Sequence, residues 1–200
     1  MIKIVASVPK LRLLRHLWSS GAPHTGRELA RAVGLDPKSA SIALRELAAS
    51  GVVYRRRAGR AYLYSLNTDN YVVSEILRRI FEGEQNWLQA LAAEIREAAG
   101  RHVEAIVLYG SAARGQARPE SDIDLLVVTR SQVDPAVILE RINSHRLRLE
   151  ERYGYPLSIL VMTRAELREK AQAGDRFVLD ILEQGRVAAG KPLSGLVTHG

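Results

Sequence analysis

Tyr109-Gly110-Ser111-Ala112-Ala113-Arg114-Gly115-Gln116-Ala117-Arg118-Pro119-Glu120-Ser121-Asp122-Ile123-Asp124-Leu125-Leu126-Val127-Val128 is the stretch that decides the fold of the second half of this chain. The residues leading into it, Val103–Tyr109, are mostly apolar and β-prone and predict a strand. Gly110-Ser111 then predicts a tight turn, and Ala112-Ala113-Arg114 the start of a helix. Residues 115–121 read as a loop containing Pro119, and residues 122–129 as a second strand. Side chains alternate along a strand, so Asp122 and Asp124 share one face and Ile123 takes the other. A strand that ends in Gly-Ser and turns at once into a helix offers free backbone N–H groups and a hydroxyl to an anion. Two carboxylates two residues apart repel each other unless a cation sits between them. Oxygen ligands of this kind suit Mg²⁺, which keeps several waters and shares substrate phosphates. A phosphate cradle beside such a pair is the minimum apparatus for phosphoryl or nucleotidyl transfer.

Working outward toward the C-terminus, residues 134–152 predict a helix and residues 156–162 a third strand. Two more helices are expected over 166–173 and 176–183. Gly185-Arg186-Val187-Ala188-Ala189-Gly190 reads as a short final strand covering a sheet edge, and residues 191–200 as a loose tail.

The quoted stretch closely resembles the signature of the polymerase-β-like minimal nucleotidyltransferases, which include the MNT antitoxins and kanamycin nucleotidyltransferase. The resemblance covers residues 100–190. It implies that Gly110 and Ser111 hold a nucleoside triphosphate, that Asp122 and Asp124 hold Mg²⁺ and are catalytic, and that Ser121 supports the loop. Arg114 and Arg118 are candidates for touching phosphate, with a salt bridge as the alternative for each. The resemblance also implies a helical HEPN-type toxin as partner. One position departs from the family pattern. Active members carry a third carboxylate on the next core strand, and in Tyr155-Pro156-Leu157-Ser158-Ile159-Leu160-Val161 the matching residue is Ser158. No acid lies between Arg152 and Arg164, and nothing positive recommends Asp175 or Asp180 as a substitute. A serine carries no charge at neutral pH and is no unassisted base. Two readings follow. One is a DNA-binding regulator or antitoxin-like protein that binds nucleotide and transfers it slowly or not at all. The other is an active nucleotidyltransferase acting on a protein, such as the toxin, or on RNA.

The first third has a different character. Leu11, Leu14, Leu17 and Trp18 form a helical stripe that Gly21-Ala22-Pro23 ends. Thr25 is a good N-cap for a short helix closed by Gly34. Asp36 as N-cap, with Pro37 at the first helical position, starts another helix, which Gly51 terminates. Residues 52–56 predict a strand, Arg57-Ala58-Gly59-Arg60 a turn, and Ala61–Leu66 a returning strand. Residues 25–67 resemble winged helix-turn-helix DNA-binding domains of the ArsR and MarR kind, in Glu28-Leu29-Ala30, in Gly34-Leu35-Asp36-Pro37-Lys38-Ser39-Ala40-Ser41, in Leu44-Arg45-Glu46-Leu47, in Gly51-Val52-Val53 and in the wing. The helix from Pro37 offers Lys38, Ser39, Ser41, Ile42 and Arg45 to a major groove of double-stranded DNA. Arg55, Arg56, Arg57 and Arg60 of the wing supply affinity for the phosphate backbone.

Charge supports the division. The chain of 200 residues has net charge +7. Residues 1–70 hold 12 Lys and Arg against 4 Asp and Glu, a net +8, and the remaining residues hold 17 against 18, a net −1. The basic excess sits where a polyanion is expected. Between the halves, residues 71–99 predict a helical connector, with Gly83 as a candidate break. Its stripe of Val73, Leu77, Ile80, Trp87 and Leu91 packs on the chain's own domains or forms a homodimer interface.

With no cysteine, the chain has no disulfide framework, no cysteine zinc site and no thiol catalysis. Its 5 histidines are scattered without metal-ligand spacing. No apolar run approaches a membrane span of roughly 20 residues, and the basic start does not read as a signal peptide, so a cytoplasmic location is expected. The expected architecture is α+β: a winged helix-turn-helix over 1–70, a helical connector over 71–99, a nucleotidyltransferase-fold domain with a mixed sheet over 100–190, and a tail over 191–200.

Overall fold

Three local caps set up the first helices of the computed structural model, which describes residues 7–116 and 121–197. The Ser7 side chain accepts from the Lys10 N–H at the start of α1 (Val8–Ser20), and Gly21 at φ 62° ends that helix. Thr25, in the two-residue strand β1 (His24–Thr25), forms a capping box with Glu28 and opens α2 (Gly26–Ala32). Asp36 accepts from the Lys38 and Ser39 N–H groups at 3.0 and 2.9 Å and opens α3 (Pro37–Ala49). The antiparallel strands β2 (Val53–Ala58) and β3 (Ala61–Leu66) follow, and β1 adds to the free side of β3. Arg57 and Ala58, expected in the turn, pair with Tyr62 and Ala61. The turn shrinks to Gly59-Arg60, with Gly59 at φ 60°, because a two-residue connection suits the twist of a hairpin. Leu13, Leu14, Leu17, Leu29, Leu44 and Leu47 form the core beneath.

The expected break at Gly83 does not occur. Val72–Leu77 forms a π-helical turn that runs straight into α4 (Arg78–Ala99), which continues through Gly83. A glycine inside a helix costs about 1 kcal/mol relative to alanine, too little to interrupt a helix with a well-buried apolar face. The π turn widens the helix, so a spacing of four keeps one face: Val73, Leu77 and Phe81 are all buried. Ile80, which the sequence spacing places in the same stripe, is 43% exposed and stands off the buried row. The chain divides into two units, Met1–Gln85 and Asn86–Gly200, and the division falls inside this helix rather than beside it. Phe81 belongs to the core of the first unit, and Leu88, Leu91, Ala92 and Ile95 to that of the second.

The second unit is a four-stranded mixed sheet in the order β6-β5-β4-β7, covered by helices on both faces. Strand β4 (Val103–Tyr109) leads through the short α5 (Gly110–Ala113) to β5 (Ile123–Thr129), its antiparallel neighbour. The chain crosses over through α6 (Pro135–Tyr153) to β6 (Leu157–Thr163), which lies parallel to β5. Helices α7 (Arg164–Gln172) and α8 (Arg176–Gln184) follow, and β7 (Arg186–Gly190) pairs antiparallel with β4 at the edge. On one face α4 and α6 pack Leu91, Ile95, Ile138 and Ile142 against Ile106, Leu108, Leu125 and Val127. On the other, Leu167, Val178 and Ile181 meet Val107, Leu126 and Val128. Burial on both faces explains why these strands read as continuous apolar runs.

The stretch expected as a loose tail is ordered through Val197. It forms α9 (Leu193–Val197), Leu196 is fully buried, and the Arg164 guanidinium donates to the carbonyls of Gly195 and Leu196 at 2.9 and 3.2 Å. One buried leucine and two charge-assisted hydrogen bonds anchor a segment whose composition alone predicts none. Among the described residues, no helix is long and apolar enough to cross a membrane.

Candidate functional site

The register of the sheet creates the site. Tyr109 on β4 pairs with Asp124 on β5, and Asp124 pairs with Ser158 on β6. Residues aligned across neighbouring strands project to the same face. Tyr109, Asp124 and Ser158 therefore stand in a row across the three strands, on the face that α8 covers lower down. The Ser158 hydroxyl is near enough to both the Asp124 carboxyl and the Tyr109 side chain to bear on how each titrates.

Gly110 closes this row at one end. It adopts φ +70°, the left-handed region, and a Cβ there would run into the Asp124 carboxylate. Both demands require glycine. The sequence suggests only close approach to a phosphate; the structure adds close approach to a carboxylate. Ser111 follows in the first turn of α5, which no side chain caps. That helix has only 4 residues, so the anion site expected here rests on backbone N–H groups and the Ser111 hydroxyl more than on a helix dipole.

Asp124 is half-buried and Asp122, just before β5, is exposed. Desolvation raises the Asp124 carboxyl above the ordinary range, and the Asp122 charge raises it further. The Ser158 hydroxyl and the Arg114 charge act the other way. Arg114 is exposed and its Nε donates to Gln116 Oε1 at 3.4 Å. Ser121 is half-buried and engaged by its neighbours. Arg118 lies outside the described residues. The alternative acids do not join the site. Asp175 caps α8 through the Val178 N–H at 3.1 Å and pairs with Lys170 at 3.6 Å, and Asp180 is exposed on that helix. Among the described residues no third histidine or acid completes a metal cluster. A pair of carboxylates of this kind suits Mg²⁺, which commonly takes one or two protein carboxylates and fills the rest with waters and phosphates.

In the first unit, Lys38, Ser41, Ile42 and Arg45 are exposed along one face of α3. Ser39 is half-buried and hydrogen-bonded to Asp36, which ties it to the helix cap. Arg55, Arg56, Arg57 and Arg60 are all exposed, on both faces of the hairpin: Arg55 and Arg57 pair with Tyr64 and Tyr62, and Arg56 with Leu63. The Arg55 guanidinium lies 4.5 Å from the Tyr62 ring centre. Between α3 and the hairpin runs a groove of about 620 Å³, lined by Thr25, Arg27, Ser41, Arg60, Tyr62 and Tyr64 among others. Arg27 and the tyrosines are not legible in the sequence as groove residues, because only the packing of α2 and β3 brings them there. Tyr109 and Phe177 in the second unit escape sequence reasoning for the same reason; Phe177, at the start of α8, meets Tyr109 edge-on at 5.5 Å.

The fold and this row of residues define a winged-helix module joined to a nucleotidyltransferase-type domain. Residues 88–187 match the family model described as the nucleotidyltransferase domain, and the chain belongs to that family. Solved structures similar to parts of it include the following. A toxin-antitoxin complex with AMP-PNP is 14% identical, over 55% of this chain and 80% of that one, with a TM-score of 0.39. The AntR antimony-specific transcriptional repressor is 32% identical, over 42% of this chain and 77% of that one, at 0.35. A homodimeric winged helix-turn-helix domain from Mycobacterium bovis, a possible ArsR-family transcriptional regulator, is 26% identical, over 46% and 74%, at 0.32. No curated protein matches the chain.

Proposed function

We propose that this chain is a DNA-binding regulator of the antitoxin-like kind, whose nucleotidyltransferase domain binds a nucleoside triphosphate with Mg²⁺ and transfers its nucleotidyl group slowly or not at all. The observation that carries this reading is the alignment of Ser158 with Asp124, where an acid would serve as the third carboxylate. General-base help is worth roughly 100- to 10,000-fold, and a serine does not supply it. In this reading Gly110, Ser111 and Arg114 bind phosphate, Asp122 and Asp124 hold Mg²⁺, and Ser121 shapes the loop. The exposed wing arginines and the +8 of the first 70 residues support binding to double-stranded DNA. Two copies reading a palindrome need a dimer, and Tyr71 at 66% and Ile80 at 43% exposure leave apolar surface on the first unit for it.

A second reading is favoured by the intact Gly110, Ser111, Asp122 and Asp124. In it the domain is an active nucleotidyltransferase that modifies a HEPN-type toxin partner or an RNA end. Calorimetric titration with each of ATP, GTP, CTP and UTP in Mg²⁺, set beside a transfer assay, separates the two. Binding without transfer supports the first reading, and transfer at enzymatic rates supports the second.

A further inference from the structure

We propose that Phe177 is a stacking platform for the nucleobase, so that the site takes any nucleoside triphosphate with little preference among bases; this rests on the nucleotide-binding reading of the domain. Phe177 is 45% exposed, although its ring packs against a neighbour. Its contact is edge-to-face with Tyr109, at 5.5 Å and 90° between rings. That contact fixes the phenyl group in orientation and leaves much of its surface open to solvent. Tyr109 immediately precedes Gly110-Ser111, pairs with Asp124 and shares a row across the sheet with Ser158. The open aromatic surface is thus continuous with the carboxylates and the phosphate turn. In this proposal the phosphates lie on Gly110 and Ser111, Mg²⁺ joins them to Asp122 and Asp124, and the base stacks on Phe177.

Exposure alone does not single out Phe177, because Leu179 on the same helix is 43% exposed. Leu179 lies nearly opposite around α8 and is no part of the Tyr109 contact, which makes it the control. Every base has a π-face, and a phenyl ring has no donor or acceptor with which to choose among them. Low base discrimination follows.

The experiment measures binding of Mg²⁺ with ATP, GTP, CTP, UTP and, as a base-free probe, inorganic tripolyphosphate. The full chain is compared with Phe177→Ala, Phe177→Trp and Leu179→Ala. The expected result is similar affinity for the four nucleotides, a loss of roughly 5- to 150-fold for all four in Phe177→Ala, and recovery in Phe177→Trp. Tripolyphosphate binding should be unchanged in Phe177→Ala, and Leu179→Ala should bind all ligands normally. Nucleotide affinity unchanged in Phe177→Ala overturns the inference while leaving the phosphate and Mg²⁺ site intact. Equal weakening of tripolyphosphate and nucleotides also overturns it, because the residue then acts through the fold. Failure of the natural chain to bind any of the five ligands overturns the nucleotide-binding reading and this inference with it.

Discussion

Gly110→Ala tests the geometry of the site more sharply than removal of any functional side chain. Two independent costs converge on this residue. The first is backbone: φ is +70°, and an L side chain in that region costs about 1–2 kcal/mol. The second is steric: the new Cβ lands on the Asp124 carboxylate, which must rotate or force the strands apart. Overpacking of this kind typically costs about 1–3 kcal/mol. Together they predict a loss of about 2–5 kcal/mol. At roughly 4 °C per kcal/mol for a domain of this size, the transition of the second unit should fall by about 8–20 °C. Scanning calorimetry measures it, and a double-mutant cycle separates the two costs. In an Asp124→Ala background the carboxylate is gone, so Gly110→Ala should cost only the backbone share of about 1–2 kcal/mol. An equal cost in both backgrounds would show that the carboxylate does not press on Gly110, and the packing of the site described above would be wrong.

Asp124→Asn should stabilise the ligand-free protein at neutral pH. The Asp124 carboxyl is raised in the folded state, chiefly by desolvation and then by Asp122, so the folded chain holds that proton more tightly than the unfolded one. Stability therefore declines as pH rises from the ordinary carboxylate value through the raised one, and the gain in the variant should vanish below the ordinary value. Thermal melts across that window check this, and a variant less stable than the natural chain at pH 7 contradicts it. Replacing Arg55, Arg56 and Arg57 with alanine should weaken binding to all DNA sequences and flatten the salt slope by about 0.9 for each phosphate that an arginine no longer neutralises. Undiminished binding by that triple variant removes the wing from the interface. Light scattering should find a dimer at micromolar concentration, and monomer alone, with and without DNA, refutes the reading of a palindrome by two copies.

The parts legible in the sequence are those decided within a few residues. Asp36-Pro37 and Thr25 announce helix starts because a cap acts over one turn, and Gly51 announces a stop for the same reason. Strands β4 and β5 are legible because double-sided burial demands unbroken apolar runs. Ser158 is marked in the sequence only by the resemblance, as the residue at the third-carboxylate position, and its alignment with Asp124 is a fact of sheet register that only the fold supplies. Phe177 is not legible: nothing near it in the chain marks it, and it reaches Tyr109 only because α8 packs on that face of the sheet. The π turn at Val72–Leu77 is hidden as well, since an apolar spacing of four reads equally as an ordinary helix with a weak stripe. The tail misleads because its composition is that of a free end, while Arg164 on α7 supplies the anchor.

The most direct test of a nucleotide-binding domain without fast turnover is transfer from nucleoside triphosphates labelled at the α-phosphate, with Mg²⁺, on the unmodified chain alone and with a HEPN-type toxin as acceptor. The expected result is retention of bound nucleotide, dependent on Asp122 and Asp124, with label moving to no acceptor or only slowly. Rapid transfer that Asp122→Asn abolishes would contradict it, and would make this an enzyme that works with a serine in place of its third carboxylate.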